Sequence, residues 1–151
     1  MTKVNLDKIQ AKGDGNIVSV VGDATLPNGA VVALGELLDG ERELFKAVAP
    51  EAEAELLLVA APEVKYDETQ DQLDFETKAG TPVRAYHLKR GDMYQAEHSL
   101  FEATPTKGQV VTGNATYGYK EAVGTEVTKF KVEALTKFGY DRRDMALLRV
   151  L

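Results

Sequence analysis

The sequence predicts an all-β fold, a small barrel or sandwich of about eight to ten short antiparallel strands. Three observations support this prediction. Short apolar runs alternate with turn residues from 16 to 62, glycine-containing dipeptides mark two later chain reversals, and the C-terminal segment alternates between apolar and charged residues. Strands bounded in this way are typical of hairpins. We therefore expect one β-rich domain over residues 16–151, preceded by an extended arm over residues 1–15.

The first strands lie between clear turn signals. The run Asn16–Val21 ends at Gly22-Asp23, and Ala30–Leu34 follows Pro27-Asn28-Gly29. Two further apolar runs end in the same way, Leu37-Leu38 at Asp39-Gly40 and Leu56–Val59 at Pro62. The pattern predicts about four short strands before residue 63.

An acidic segment follows at residues 63–82. Its carboxylates alternate with Tyr66, Leu73 and Phe75. We expect an excursion between strands that Leu73 and Phe75 hold against the core.

The dipeptide Gly91-Asp92 predicts a hairpin over residues 83–99. In that register His87 lies opposite Ala96 and His98 opposite Ala85, so the two histidines become diagonal neighbours on one face. A zinc site needs a third ligand, and Glu97 points to the other face. We therefore predict no metal site.

Two more reversals complete the chain. A hairpin is expected over residues 108–119 around Gly113-Asn114. Phe130, Val132 and Ala134 share one face of a half-buried strand, and after a turn at 139–144 the chain returns as a last strand over 145–151.

Composition excludes several classes of function. The 151 residues contain no cysteine, so neither a disulfide nor a thiolate metal site can form. The net charge is −6, and the basic residues are dispersed except for Lys89-Arg90 and Arg142-Arg143. Nucleic-acid binding requires clustered lysine and arginine and is therefore not expected. No run reaches the roughly 18–20 apolar residues of a membrane span, so no membrane partner is expected.

The sequence contains no recognisable catalytic pattern. Serine occurs only at Ser19 and Ser99, there is no Gly-x-Ser-x-Gly motif, and Gly13-Asp14-Gly15 lacks the remainder of a phosphate-binding loop. Carboxylates from Asp67 to Glu76 could serve acid–base chemistry, although acidic loops are commonly only solvated. We predict no enzyme, no catalytic residue and no cofactor. A hydrolase using Asp67, Asp71 or Asp74 is the least favoured alternative.

The order of several segments resembles small structural proteins of tailed bacteriophages, in particular capsid decoration, or cement, proteins. The resemblance covers roughly residues 12–100 and is carried by Lys12–Val20, Leu26–Gly35, Asp39–Glu43, Leu58–Glu68 and Arg84–Asp92.

This resemblance implies a structural virion protein on the capsid exterior, made in the host cytoplasm, whose partner is the major capsid protein. It also implies a homo-oligomer, with a trimer favoured. The partner-binding residues would be Val4, Leu6 and Ile9 of the arm together with the loop residues Asn28 and Gly29. Another virion component, such as a head fibre base, tail tube or adaptor subunit, remains the alternative.

Overall fold

The computed structural model describes residues 4–5, 17–41, 44–61, 76–139 and 142–151. The described residues form thirteen strands and one short 3-10 turn, His98–Leu100. The strands are β1 (Val4–Asn5), β2 (Ile17–Val21), β3 (Leu26–Pro27), β4 (Val31–Leu37), β5 (Leu44–Val48), β6 (Leu56–Val59), β7 (Glu76–Thr77), β8 (Val83–His87), β9 (Met93–Glu97), β10 (Val110–Gly113), β11 (Tyr119–Glu121), β12 (Phe130–Phe138) and β13 (Arg143–Val150).

The strands form two layers, and the prediction of an all-β barrel or sandwich is confirmed. One layer is a closed barrel in the order β2-β5-β4-β6-β8, and the other is a six-stranded sheet in the order β1-β9-β13-β12-β10-β11. Strands β3 and β7 form a separate pair. The pairings are antiparallel except for β2 with β5, a parallel contact that hairpin signals did not predict.

Strand β6 lies between two hydrophobic cores, which explains its uninterrupted Leu-Leu-Leu-Val sequence. Successive side chains of a strand point to opposite faces. Leu57 and Val59 belong to the barrel core, whereas Leu56 and Leu58 belong to the core between the barrel wall and the sheet. A strand buried on both faces needs apolar residues at every position.

The predicted hairpin over residues 83–99 is wrong. The chain does turn there, with the Lys89 N–H donating to Asp92 Oδ2 at 2.8 Å and the Asp92 N–H donating to the Lys89 carbonyl at 2.9 Å. However, β8 pairs with β2 and β6 in the barrel, while β9 pairs with β1 and β13 in the sheet. The turn signal specifies a reversal, but it does not specify the sheet that receives the next strand.

The other two predicted hairpins are confirmed. Strands β10 and β11 pair antiparallel, with Gly113 opposite Tyr119, so the connection is longer than the predicted dipeptide. Strands β12 and β13 pair along their lengths, and a register shift after Val132 explains why Phe130 and Val132 are buried while Ala134 is only half-buried.

Of the predicted arm at residues 1–15, the structure describes only Val4–Asn5. These two residues pair with Ala96 and Gln95 at the edge of the six-stranded sheet. The remaining arm residues, and the acidic stretch 62–75 with Leu73 and Phe75, lie outside the described residues. No helix within the described ranges has the length and apolar character that a membrane crossing requires.

Candidate interaction surface

Asn28 and Gly29, the two loop residues predicted to contact a partner, are buried in the described structure. Their role in partner binding stays a prediction. Asn28 is fully buried, its Nδ2 donates to the Ala61 carbonyl at 3.0 Å, and its Oδ1 accepts from the Ala61 N–H at 2.9 Å. Gly29 is also buried and has φ +100°. The turn at Pro27-Asn28-Gly29 therefore joins two parts of the barrel and is not an exposed tip.

The predicted turn at Gly113-Asn114 is buried as well. Asn114 Oδ1 accepts hydrogen bonds from the N–H groups of Thr116 and Gly118 at 2.9 and 2.8 Å, which closes the connection between β10 and β11. A Cβ at Gly113 would lie 2.6 Å from Cβ of Pro50, so only glycine fits there. Asparagine and glycine mark a turn in a sequence, but they do not show which side of the turn faces solvent.

The arm candidates have different outcomes. The Val4 backbone pairs with the chain's own β9, while Leu6 and Ile9 lie outside the described residues. The role of all three residues in partner binding stays a prediction.

The predicted pair of histidines does not form, because β8 and β9 belong to different layers. His87 Nδ1 lies 3.5 Å from Glu55 Oε1, and His98 packs edge-on against Phe101. Within the described ranges no group of three or more His, Asp or Glu side chains could hold a metal ion.

The acid–base candidates Asp67, Asp71 and Asp74 lie outside the described residues. Glu76, at the end of the same cluster, is exposed in β7 and faces Pro27 across the β3–β7 pair. The structure therefore brings no second carboxylate of this cluster to Glu76 among the residues that it describes.

Two tyrosines between the layers carry a buried polar contact. Tyr94 and Tyr119 are both fully buried, and their hydroxyl oxygens lie 2.6 Å apart. Tyr119 Oη donates to the Gly29 carbonyl at 2.9 Å, so Tyr94 must be the donor to Tyr119. Burial raises the pKa of both phenols, and both are neutral hydroxyl groups that tie the sheet to the barrel.

The loop at 122–128 exposes two apolar side chains. Val123 is 84% exposed and Val127 is 61% exposed. Sequence reasoning missed these residues, because the loop has no alternating pattern. Two valines in a segment without strand periodicity were the only available signal.

This loop is held by several hydrogen bonds. The Glu126 carboxylate accepts from the Val123 N–H at 2.8 Å and from the Gly124 N–H at 2.9 Å. The bond from Val123 is the main reason that the pKa of the Glu126 carboxyl lies below its ordinary value. The Val127 N–H donates to the Ala52 carbonyl at 2.8 Å.

Thr128 fixes the end of the loop from both sides. Its Oγ1 accepts from the Leu56 N–H at 3.1 Å, and its carbonyl accepts from Thr112 Oγ1 at 2.8 Å. The loop therefore presents two valines from a backbone that is bonded to both layers.

Comparison of the chain with protein-family models, with curated proteins and with solved structures gives no match.

Proposed function

We propose that this protein is a structural virion subunit of a tailed bacteriophage, which binds the outer surface of the capsid and stabilises contacts between major capsid protein subunits. The resemblance of residues 12–100 to capsid decoration proteins supports this proposal. The net charge of −6 suits the outside of a shell better than its DNA-lined interior.

The observation that carries the proposal is the exposure of Val123 and Val127 on a hydrogen-bonded loop. Isolated apolar side chains on a surface are common. Here, however, the Glu126 carboxylate and the Ala52 carbonyl hold the backbone on both sides of the exposed side chains. A preorganised apolar contact loses little conformational entropy on binding, which suits a docking loop.

In the proposed mechanism the protein reinforces the capsid shell mechanically. Each copy would bridge neighbouring coat subunits, and many copies on one shell would multiply a modest contact into a large resistance to disassembly. Within this chain Val4–Asn5 pairs with β9, and addition of a strand in this way is also a common mode of recognition between proteins. We include Val4, Leu6 and Ile9 in the proposal as the arm that reaches the coat.

Co-sedimentation with mature, undecorated capsids tests the proposal. Intact protein is expected to bind saturably at a copy number set by the capsid symmetry. The double variant Val123→Asp, Val127→Asp should bind at least about tenfold more weakly, since it places two charges in an apolar contact. The matched control is Leu151→Asp, which changes an exposed apolar residue outside the loop and should bind normally.

A second variant tests the arm. Deletion of residues 1–15 should also weaken capsid binding. Circular dichroism and the midpoint of unfolding are the controls that show whether the shortened protein still folds. Failure of the intact protein to bind would reject the decoration role. Rings or fibres in electron micrographs would then direct attention to a tail tube, adaptor or head fibre component.

A further inference from the structure

The charge of this chain is concentrated in one segment. Residues 63–76 contain six carboxylates and one lysine, a net charge of −5, so the other 137 residues together carry only −1. The segment also contains the apolar side chains of Tyr66, Leu73 and Phe75.

Both ends of this acidic segment are fixed at one place on the barrel. The Asn28 amide bonds to both backbone groups of Ala61, immediately before the segment, and Glu76 at its end pairs with Pro27. The segment thus leaves and re-enters the fold beside the same turn.

A cleft of opposite character lies in the other layer, near the end of the β12–β13 hairpin. It has a volume of about 410 Å³. The basic side chains of His98, Lys137 and Arg142 line this cleft. The exposed Leu135 and the carboxylate of Asp144 also contribute to its lining.

Several groups in this cleft lack a complete set of partners. Arg142 is exposed, and its guanidinium makes no hydrogen bond or ion pair with the described residues. His98 Nε2 is buried and has no hydrogen-bond partner within the described ranges. Asp144 is already satisfied, because Lys137 Nζ lies 2.5 Å from its Oδ1.

The backbone of Arg142 is also unusual. Its φ is +55°, in the left-handed region that favours glycine, and its N–H donates to the Gly139 carbonyl at 3.1 Å. Backbone strain at an exposed residue is a reason to look for a function. Here it places the Arg142 guanidinium at the end of a hairpin.

The end of this hairpin extends beyond its neighbours. Strand β9 pairs with β13 only from Met145 onward, and β10 pairs with β12 only at Phe130 and Lys131. Residues near Phe138 and Arg143 therefore pair only with each other in the described sheet. Such a projection is well placed to contact another molecule.

We propose that this basic cleft binds the acidic segment 63–76 of a second copy of the chain, joining copies head to tail. Charge complementarity supports this occupant: carboxylates of the segment would meet the guanidinium of Arg142, and an aromatic side chain of the segment would cover Leu135. The cleft and the anchored ends of the segment lie in different layers, which favours a contact between copies. A head-to-tail contact generates closed rings when its rotation closes.

The oligomeric state in solution, measured by sedimentation velocity of the full chain, tests this proposal. The wild-type protein should associate at low salt and dissociate as sodium chloride rises from about 0.05 M to about 0.5 M, because salt screens exposed charges. Arg142→Glu should weaken association at least about tenfold. The matched control, Arg90→Glu, makes the same charge change at an exposed residue outside the cleft and should leave association unchanged.

Mixing two defective variants separates a contact between copies from one within a copy. Arg142→Glu retains the acidic segment, whereas the triple variant Asp67→Asn, Asp71→Asn, Asp74→Asn retains the cleft. Each alone should be monomeric, but an equimolar mixture should form dimers and nothing larger, since only one intact contact remains per pair.

A monomeric wild-type protein at every concentration would overturn the proposal, as would association that Arg142→Glu does not weaken or a mixture that forms no dimers. The result is independent of the capsid proposal. A monomer that still binds capsids rejects only the contact between copies, whereas an oligomer that ignores capsids rejects only the decoration role.

Discussion

The two hydrophobic cores of this protein are built from different side chains. The barrel interior is dominated by aliphatic residues such as Val20, Val32, Leu57 and Val59. The core between barrel and sheet contains Tyr94, Tyr119 and Phe130, and the rings of both tyrosines contact Phe130 edge to face. Aliphatic burial is non-directional, whereas ring contacts and buried hydroxyl groups require one geometry.

This difference in side chains indicates that the two cores have different roles in stability. A barrel is closed by its own backbone hydrogen bonds, so its filling needs only the right volume. Two layers could slide over each other, and the chain from Tyr94 through Tyr119 to the Gly29 carbonyl opposes such sliding. We infer that the barrel core contributes mainly bulk stability and the interlayer core fixes the relative position of the layers.

The largest expected effect comes from Phe130→Ala. Loss of this fully buried ring should lower the free energy of unfolding by about 3–5 kcal/mol, because the two neighbouring tyrosines lose a packing partner. Urea unfolding measures the change. Val123→Ala, at an exposed position, is the control and should shift stability by less than about 0.5 kcal/mol. A loss below about 1 kcal/mol for Phe130→Ala would show that the interlayer core is loosely packed.

Next in size is Tyr119→Phe, expected to cost about 1–3 kcal/mol, because it leaves the buried Gly29 carbonyl and the Tyr94 hydroxyl without this partner. Tyr94→Phe should cost less, since Tyr119 still donates to Gly29. Urea unfolding of both single variants and of the double variant gives the coupling energy. Equal costs for the two single changes would contradict the assigned direction of the hydrogen bonds.

Alkaline pH should act on the interlayer core through the same tyrosines. Burial raises the pKa of both phenols, so the folded state favours their neutral form. Their contribution is complete below pH 10, and it declines above pH 10 because the unfolded chain releases phenol protons first. The urea midpoint should therefore fall further between pH 8 and pH 11 for the wild type than for the double variant Tyr94→Phe, Tyr119→Phe. An equal fall in both proteins would count against this role.

The smallest effect is expected in the barrel. Leu57→Met conserves volume in an aliphatic core and should cost less than about 1.5 kcal/mol. The control is Leu58→Met, which makes the same change at the adjacent residue in the other core. Thermal unfolding of the two variants compares their losses of stability. If the barrel variant loses clearly more stability than its neighbour, the barrel packing is the more specific of the two.

Sequence reasoning predicted the elements of this fold better than their partners. Runs such as Ile17–Val21 and Leu56–Val59, and the C-terminal hairpin, follow from apolar patterning and turn residues. The assignment of β8 and β9 to different layers depends on which face each strand buries, and no local signal encodes that choice.

The candidate surface was predicted less well, for a similar reason. Asn28 is a typical turn residue, but its amide is occupied by Ala61, which lies 33 positions away. The Val123–Val127 loop becomes visible only once Glu126 and Thr128 are seen to fix it. Exposure results from long-range contacts, and a single sequence does not display them.

The position of β13 determines the order in which the layers can form during synthesis. All five barrel strands lie between residues 17 and 87, so they are all made before strands β9 to β13 of the sheet. In the six-stranded sheet, β13 lies between β9 and β12 although it comes last along the chain. Strands β9 and β12 therefore cannot gain their shared neighbour until residues 143–150 have been made, whereas the barrel strands have no such dependence on the end of the sheet.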